Sequence, residues 1–316
     1  MKTKRLPQRI IATKKFAALL EDLFGKQVFL DIESSDRVVV HRVDSVVASV
    51  RSPFQQIDFF RTPHFGLVLA LDGLIQAAQS DEHIYHELLI HPAALMLPRL
   101  NTALILGGGD GCAARELLKY GELNSVELVE IDQAVVDLSR VHFKELNEGA
   151  LDDPRVKLII REGETFLRHR AGSPYELIIA DLTDPYTTTG ESTELSRRIY
   201  SPEFYHMIKT HMSRNGIFVL QTGGITHIRG TDRRHLEIID GVRQSFRWVA
   251  TAYAYIHSFD QIWTITLASD YEHDVLGLDV EALLTSKTVA NLRYYGRASH
   301  VRAFHAPHQA GVSAED

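Results

Sequence analysis

Apolar and polar positions follow one pattern in the first third of the chain and another in the remainder. Residues 10–24 repeat apolar side chains at helical spacing, which predicts a short helix. Between residues 27 and 78, short apolar runs separated by polar residues predict antiparallel strands, with Asp72-Gly73 as a hairpin turn. Residues 80–97 return to helical spacing. The sequence therefore begins with a small β-rich region that leads into a helix.

From Asn101 onward, apolar runs alternate with helical patterns across short loops. This alternation predicts an α/β fold with a doubly wound parallel sheet, covered by helices on both faces and ending in an antiparallel pair. Beginning with the apolar run at residue 104, the predicted strands continue at 125–131, 156–161, 176–182, 216–221, 249–256 and 262–269, with helices at 113–120, 133–146, 202–212 and 232–246.

These patterns divide the chain into four parts. We predict an N-terminal helical extension over 1–26 and a small antiparallel β domain with its linking helix over 27–98. A Rossmann-like catalytic domain follows over 99–306, and 307–316 form a polar, flexible tail. Because doubly wound sheets bind ligands at the carboxyl ends of their strands, we expect the functional site in the third part.

Composition narrows the class of protein. The chain has 316 residues and is 45% hydrophobic, which suits a packed globular core. Its single cysteine, Cys112, excludes an internal disulfide framework. A basic start without an apolar core, and no apolar run near the roughly 20 residues of a membrane span, lead us to expect a cytoplasmic protein without a membrane partner. The net charge of −7 argues against broad nucleic-acid binding.

A glycine-rich turn follows the first strand of the alternating region. Gly107, Gly109 and Gly111 allow positive φ and a close approach of the backbone to a flat adenosyl group. The helix after them contributes partly positive amides, and Asp110 places one carboxylate inside the turn. With the strand before it and the helix after it, this turn predicts a nucleoside site. A plain structural turn is the alternative.

Carboxylates stand at the ends of the following strands. Glu130 and Asp132 end the second strand, roughly 20 residues beyond the glycine turn, where doubly wound folds bind ribose hydroxyls. Glu162 follows the next strand, and Asp181 and Asp184 follow the buried one after it. For Asp184, which precedes a proline, turn capping is the alternative. We expect these acids to lie at one edge of the sheet.

Two kinds of ligand suit so many carboxylates. A metal is one, but its ligands would have to converge in an oxygen cage, and no Asp-x-Asp-x-Asp-Gly loop is present. His83, His86, Glu87 and His91 on a single predicted helix make zinc conceivable, but two histidines three residues apart are more often surface or packing residues, so we expect no metal. The other is a cationic nucleoside containing a sulfonium. Asp110 would repel the tail carboxylate of S-adenosylmethionine and attract the ammonium of the decarboxylated compound. The residues thus favour the decarboxylated donor.

The reaction expected from such a donor is displacement by an amine at the carbon next to sulfur. The attacking amine has a pKa of about 10, so freeing its lone pair at pH 7 costs roughly 4 to 5 kcal/mol. Asp181 would accept the proton and stabilise the positive charge that develops on nitrogen. The remaining task of the protein is to align two cations, which is a matter of proximity.

Taken together, these residues resemble the spermidine synthase family of polyamine aminopropyltransferases. The similarity runs from about Ser52 to Asp270, and some details, including Asp181-Leu182-Thr183-Asp184-Pro185 and Ser258-Phe259, resemble thermospermine synthases more closely. The motifs that carry it are Phe54-Gln55, 71–76, Asp81-Glu82, Tyr85-His86-Glu87, His91-Pro92-Ala93, 107–111, 113–116, Glu130-Ile131-Asp132, 181–185 and 200–205.

The resemblance implies a Rossmann-like, class I methyltransferase-type fold with a small N-terminal β-rich domain, and decarboxylated S-adenosylmethionine as co-substrate without a further cofactor. It also implies a polyamine acceptor, putrescine or spermidine, and a homodimer or homotetramer. The implied donor side is Gln55, Gln76 and Asp110 for the tail, Gly107, Gly109, Gly111, Glu130 and Asp132 around the nucleoside, and Glu162 with Gly163 for adenine. The implied acceptor side is Tyr85, Asp181, Asp184, Gln221 and Tyr255, of which Asp181, Asp184 and Tyr85 are catalytic.

Several positions depart from the family pattern. Glu162 stands where the family usually has aspartate, His257 replaces a frequent proline, and Phe259 lies where spermidine synthases usually carry a tyrosine. Residues 186–190 replace the usual glycine-proline loop. The acceptor and the attacking nitrogen therefore stay open. Two other functions remain: amine N-methylation from intact S-adenosylmethionine on the same scaffold, and a binding protein without turnover.

Overall fold

The computed structural model of the chain describes residues 18, 19, 22, 27–32, 38–182, 193–225 and 233–305, with the backbone alone at 233 and 234. These residues form two compact units, one up to Ser80 and one from Asp81 onward. Of the helix predicted over 10–24, only 18, 19 and 22 are described, and they are helical; the tail 307–316 lies outside the described residues. Within the described ranges, no helix is long and apolar enough to cross a membrane.

The first unit consists of antiparallel strands. A two-stranded ribbon, β1-β2, accompanies a four-stranded sheet in the order β3-β4-β5-β6. Asp72 and Gly73 join β5 to β6 with φ of 47° and 84°, which confirms the predicted hairpin turn. The strands are β1 (Val28–Ile32), β2 (Val38–Arg42), β3 (Ser45–Arg51), β4 (Gln56–Thr62), β5 (Gly66–Leu71) and β6 (Leu74–Ala78).

A seven-stranded sheet in the order β12-β13-β11-β10-β7-β8-β9 forms the centre of the second unit. The five strands from β11 to β9 run parallel, and β13 is antiparallel to both β11 and β12. The predicted doubly wound sheet with an antiparallel end is confirmed. Its strands are β7 (Thr102–Gly107), β8 (Ser125–Glu130), β9 (Val156–Ile160), β10 (Tyr175–Asp181), β11 (Met212–Ile225), β12 (Trp248–Ile256) and β13 (Gln261–Ser269).

Helices cover this sheet. The sequence did not predict four of them, α4, α5, α8 and α9, because six or seven residues are too few for a clear apolar period. In the described part of the chain the helices are α1 (Glu82–Met96), α2 (Cys112–Leu118), α3 (Gln133–His142), α4 (Gly163–His169), α5 (Glu194–Ile199), α6 (Pro202–Thr210), α7 (Arg233–Ser245), α8 (Val280–Ser286) and α9 (Arg297–Ala303).

The core lies on both faces of the sheet. Leu177 and Ile179 of β10 face one apolar cluster, and Ile178 faces the other. The helix α1 contributes Leu88 and Leu89 to the first cluster. The sequence grouped this helix with the small β domain, whereas in the structure it belongs to the second unit, because its buried face packs with the sheet of that unit. This packing brings α1 to the ends of β7 and β10.

Candidate active site

The glycine turn after β7 depends on close contact with β10. Gly107, Gly108 and Gly111 have φ of 82°, 67° and 84°, values that glycine adopts without a Cβ penalty. A Cβ at Gly107 would lie 1.9 Å from the backbone oxygen of Asp181. Glycine at this position therefore lets the turn lie directly against the neighbouring strand, while the approach of the turn to an adenosyl group stays a prediction.

Asp181 lies beside this turn at the carboxyl end of β10. It pairs with Gly107 in the sheet register, and its backbone oxygen accepts a hydrogen bond from Gly108 N at 3.0 Å. The Tyr85 hydroxyl donates to Asp181 Oδ1 at 2.6 Å. Burial raises the pKa of Asp181 to about 6; His86 and the Tyr85 hydroxyl oppose this rise, and Asp110 adds to it. Asp181 is thus a partly buried carboxylate able to hold a proton near neutral pH.

Asp110 is fixed at the N-terminus of α2. Its Oδ1 accepts from Cys112 N at 2.7 Å, and Asn147 Nδ2 donates to its backbone oxygen at 2.8 Å. Its Oδ2 lies 3.7 Å from His86 Nε2. Burial opposes ionisation of Asp110, but the neighbouring His86 outweighs burial and lowers its pKa. The charged form of this carboxylate is therefore favoured in the turn.

The end of β8 supplies two further carboxylates, those of Glu130 and Asp132. Glu130 Oε1 accepts from Asp132 N at 2.9 Å, and a Cβ at Gly109 would lie 2.9 Å from Glu130 Oε2. Burial raises the pKa of Glu130 to about 7, although backbone amides, including that of Asp132, oppose the rise. Asp132 caps α3 by accepting from Ala134 N at 3.0 Å. Glu130 thus lies against the glycine turn, and Asp132 supports the adjoining helix.

Glu162 and Gly163 begin α4. Glu162 is its N-cap and accepts from Glu164 N at 3.3 Å and Thr165 N at 2.7 Å. Arg198 of α5 lies 3.4 Å from Glu162 Oε1. At Gly163, an added Cβ would meet Leu106 at 3.5 Å, an ordinary contact. The longer side chain that departs from the family pattern is therefore used in capping a helix.

Two of the predicted acceptor residues differ from each other in burial. Gln221 is buried in β11; its Nε2 donates to Leu182 O at 3.0 Å, and its Oε1 accepts from Gly223 N at 3.0 Å. Tyr255 is 47% exposed, and its hydroxyl donates to Asp260. Gln221 therefore fixes the backbone directly after Asp181, and the Tyr255 ring lies at the surface of its unit.

Three other predicted residues lie outside the described part of the second unit. Gln55 precedes β4 and Gln76 lies in β6, both in the first unit. Gln76 Nε2 donates to the nearby Leu74 O at 3.4 Å. Asp184 and the segment 186–190 lie outside the described residues.

Sequence reasoning missed a buried network behind Asp110. His86 Nδ1 lies 3.0 Å from Glu82 Oε2, and Arg115 Nη1 and Nη2 donate to the two oxygens of Glu82 at 2.9 Å each. Asn147, which holds the turn, was also missed. The signal available was the family motif around Tyr85-His86-Glu87, which names residue types but not their partners.

The helix considered for zinc does not gather its polar side chains at one point. His86 faces Glu82 and Asp110, Glu87 accepts from three backbone amides at 293–295, and His91 bonds Glu116. Among the described residues, Glu82, His86 and Cys112 each place one potential metal ligand within 4.8 Å of the others. Both oxygens of Glu82 are bonded to Arg115, and burial raises the pKa of Cys112 well above its ordinary value. These contacts favour a hydrogen-bonded network.

The sheet order, the antiparallel β13 and the glycine turn after β7 define a Rossmann-like fold of the methyltransferase type. Residues 82–276 match the family model described as the spermine/spermidine synthase domain, and residues 27–79 match the spermidine synthase tetramerisation domain. The chain belongs to the spermine/spermidine synthase family. The predicted family is thus confirmed, and the closer likeness to thermospermine synthases stays a prediction.

Individual relatives agree with this assignment. A polyamine aminopropyltransferase of Aeropyrum pernix is 37% identical over 242 residues, which are 77% of this chain and 74% of the relative. One from Pyrobaculum calidifontis is 33% identical over 287 residues, 90% of this chain and 96% of the relative. A spermidine synthase crystallised with the transition-state analogue AdoDATO has a TM-score of 0.79 at 27% identity, covering 89% of this chain and 92% of its own. Spermidine synthase from Thermotoga maritima gives 0.76 at 25% identity, with coverages of 89% and 91%.

Proposed function

We propose that this protein is a polyamine aminopropyltransferase. It moves the aminopropyl group of decarboxylated S-adenosylmethionine to an amine of putrescine or spermidine and releases 5′-methylthioadenosine. The observation that carries the proposal is the pairing of Asp181 with Gly107 in the sheet, because the partly buried Asp181 carboxylate then lies beside the glycine turn. Relatives named polyamine aminopropyltransferases, and the spermidine synthase bound to AdoDATO, support the same reaction.

In this reaction the acceptor nitrogen attacks the aminopropyl carbon bonded to sulfur. A carbon–nitrogen bond forms, the carbon–sulfur bond breaks, and its electron pair remains on the sulfur of 5′-methylthioadenosine. Asp181 accepts the proton that the nitrogen loses. The Tyr85 hydroxyl, bonded to Asp181 Oδ1, orients that carboxylate and leaves Oδ2 for the amine. No redox step is involved, and the donor is a co-substrate.

The remaining candidate residues divide between the two substrates. Glu130 binds the ribose hydroxyls, Asp110 binds the tail ammonium, and Gln221 acts on the acceptor side by fixing Leu182 next to Asp181. The other proposed donor contacts are Gln55, Gln76, Asp132, Glu162 and Gly163, and the other proposed acceptor contacts are Asp184 and Tyr255.

Residues 27–79 match a tetramerisation domain, which supports assembly into an oligomer. We extend this to a homodimer or a homotetramer. Sedimentation equilibrium separates the two, because it measures mass independently of shape. The subunit mass is 35.6 kDa, so dimer and tetramer are readily distinguished.

A product assay tests the proposed reaction. With decarboxylated S-adenosylmethionine and a panel of diamines and triamines, we expect release of 5′-methylthioadenosine together with an amine lengthened by one aminopropyl group. Mass spectrometry after an isomer-resolving separation identifies the acceptor and the nitrogen that attacked. With intact S-adenosylmethionine we expect no S-adenosylhomocysteine. Formation of S-adenosylhomocysteine alone would instead assign the protein as an amine methyltransferase.

Replacing Asp110 with asparagine tests the tail contact. Asparagine keeps an oxygen that accepts from Cys112 N but removes the negative charge. Because a hydrogen bond to a charged group contributes about 1.5 to 3 kcal/mol, we expect binding of the decarboxylated donor to weaken roughly 10- to 100-fold. Binding of 5′-methylthioadenosine, which lacks the tail, should change little. Calorimetry measures both, and an equal loss for the two ligands would contradict the contact.

A further inference from the structure

A continuous set of buried polar side chains extends from Asp110 into the interior of the second unit. His86 lies between Asp110 Oδ2, 3.7 Å from its Nε2, and Glu82 Oε2, 3.0 Å from its Nδ1. Arg115 bonds both oxygens of Glu82 at 2.9 Å and donates through Nε to Glu116 Oε1 at 2.7 Å. The His86 side chain is 2% exposed. Its ring is therefore surrounded by protein groups rather than by solvent.

Buried charges of this kind need to balance, because an uncompensated charge in a protein interior is costly. Asp110, Glu82 and Glu116 supply three negative charges. Arg115 supplies one positive charge, and Lys119, whose Nζ lies 2.8 Å from Glu116 Oε2, supplies a second. Arg293 Nη1 also lies 3.7 Å from Glu82 Oε1, but its side chain is 56% exposed, so water screens its charge. A protonated His86 supplies the third buried positive charge.

His91 need not contribute a charge to this balance. A neutral ring satisfies both of its contacts, since Nε2 lies 2.8 Å from Glu116 Oε2 and Nδ1 lies 2.9 Å from the Tyr120 hydroxyl. His86 is different, because a carboxylate faces each of its ring nitrogens. Burial disfavours the charged form of His86, but Asp110 and Glu82 outweigh it and raise its pKa well above the ordinary value.

The charged and titratable groups around His86 come from two helices, the glycine turn, β10 and the segment before α9, where Arg293 lies 3.7 Å from Glu82. Glu82 and the Tyr85 ring, 4.9 Å from the His86 ring, belong to α1, and Arg115 and Cys112 belong to α2. Asp110 comes from the glycine turn and Asp181 from β10. In the proposed function, the donor brings two positive charges. Its sulfonium offsets the ionised Asp181, and its ammonium is then one positive charge in excess.

We propose that His86 carries a proton in the free enzyme and releases it to solvent when the primary ammonium of the donor binds Asp110, so that the protonation state of His86 sets the preference between the decarboxylated and the intact donor. This inference rests on the proposed function. A protonated His86 beside Asp110 complements the ammonium and carboxylate of an intact amino-acid tail. A neutral His86 complements the ammonium alone, because the cation that would pair with a carboxylate is gone.

The selection therefore depends on pH. Affinity for the decarboxylated donor relative to intact S-adenosylmethionine increases as pH rises toward the pKa of His86 in the free enzyme, by up to about tenfold per pH unit while one proton is coupled. Above that pKa, no proton remains to be released and the ratio levels off. Glu130 also titrates near neutral pH. Both donors contain the ribose that Glu130 is proposed to bind, so its titration affects both affinities equally.

Isothermal titration calorimetry of the whole protein measures the released proton directly. Titrations at pH 7 in buffers of different ionisation enthalpy give the number of protons released by each ligand. We expect the decarboxylated donor to release about one proton more than 5′-methylthioadenosine, which lacks the tail and so accounts for Glu130. Intact S-adenosylmethionine should release no more than 5′-methylthioadenosine. Equal release by the decarboxylated donor and 5′-methylthioadenosine would overturn the inference.

Two variants of α1 attribute the proton to a residue. His86→Gln removes the ionisable group, so the extra proton and the pH dependence of donor preference should both disappear. His83→Gln makes the same change one turn earlier on the helix, where desolvation lowers the pKa of the histidine, and should retain both. If the His86 variant does not fold, the three-ligand titration of the unaltered protein still decides. Failure of the decarboxylated donor to bind or react would instead contradict the proposed function.

Discussion

Replacing Asp181 with asparagine is expected to lower kcat for aminopropyl transfer by roughly 10²- to 10⁴-fold, the usual contribution of a positioned general base. Asparagine has nearly the same shape and keeps Oδ1 as an acceptor for the Tyr85 hydroxyl, whose present bond is 2.6 Å long. The contact between the Asp181 backbone oxygen and Gly108 N does not involve the side chain. Only the ability to take the proton is removed. Steady-state rates of 5′-methylthioadenosine release measure the loss.

Donor binding provides the control for this change. Calorimetric affinity for the decarboxylated donor should change far less than kcat, because Asp110 and Glu130 keep their positions at the glycine turn. Asp240→Asn, the same change at an exposed carboxylate paired with Arg243, should leave both quantities unaltered. Undiminished kcat in the Asp181 variant would remove Asp181 from the role of base.

The pH profile reports on the same carboxylate. Burial raises the pKa of Asp181 to about 6, and the base works only when ionised. The kcat/KM for the acceptor should therefore be high above this pH and should fall as pH drops through about 6. In the Asp181→Asn variant, that limb should be absent. A wild-type profile without a group titrating near this pH would contradict the assignment.

Much of this site could be predicted from the sequence because it depends on chain order. Parallel strands place their carboxyl ends at one edge, so the glycine turn, Glu130 and Asp181 had to be neighbours once the alternation was recognised. The contact between Gly107 and the Asp181 backbone was not predicted, because the glycines indicated only room for a nucleoside.

The network behind Asp110 could not be predicted, because side-chain partners far apart in sequence leave no periodic signal. Arg115 and Glu82 are separated by α1, a strand and a turn, and neither belongs to a motif that names the other. Gln221 shows a related limit. The sequence places it at the end of a strand, where its amide could contact a substrate, but in the structure both ends of the amide bond backbone groups. Such pairings are decided by tertiary packing.

Arg115 is the residue on which this network depends most for stability. Its side chain is 6% exposed, and its guanidinium bonds Glu82 twice, Glu116 once and the backbone oxygen of Leu146. An ion pair this buried does not by itself imply large net stabilisation, because burial of both charges is costly. Removing one partner is different, since the remaining carboxylates then stay buried with one cation fewer.

Arg115→Met is therefore expected to lower the free energy of unfolding by about 3 to 5 kcal/mol, the usual cost of breaking a buried ion pair. Methionine keeps most of the apolar stem, so the loss reflects the charge rather than a cavity. Arg168→Met is the matched control, because Arg168 is 61% exposed and pairs with Glu164 at the surface, where such pairs contribute about 1 kcal/mol or less. Urea denaturation measures both variants. Similar small losses in the two would mean that Glu82 and Glu116 are protonated or hydrated rather than charge-balanced by Arg115.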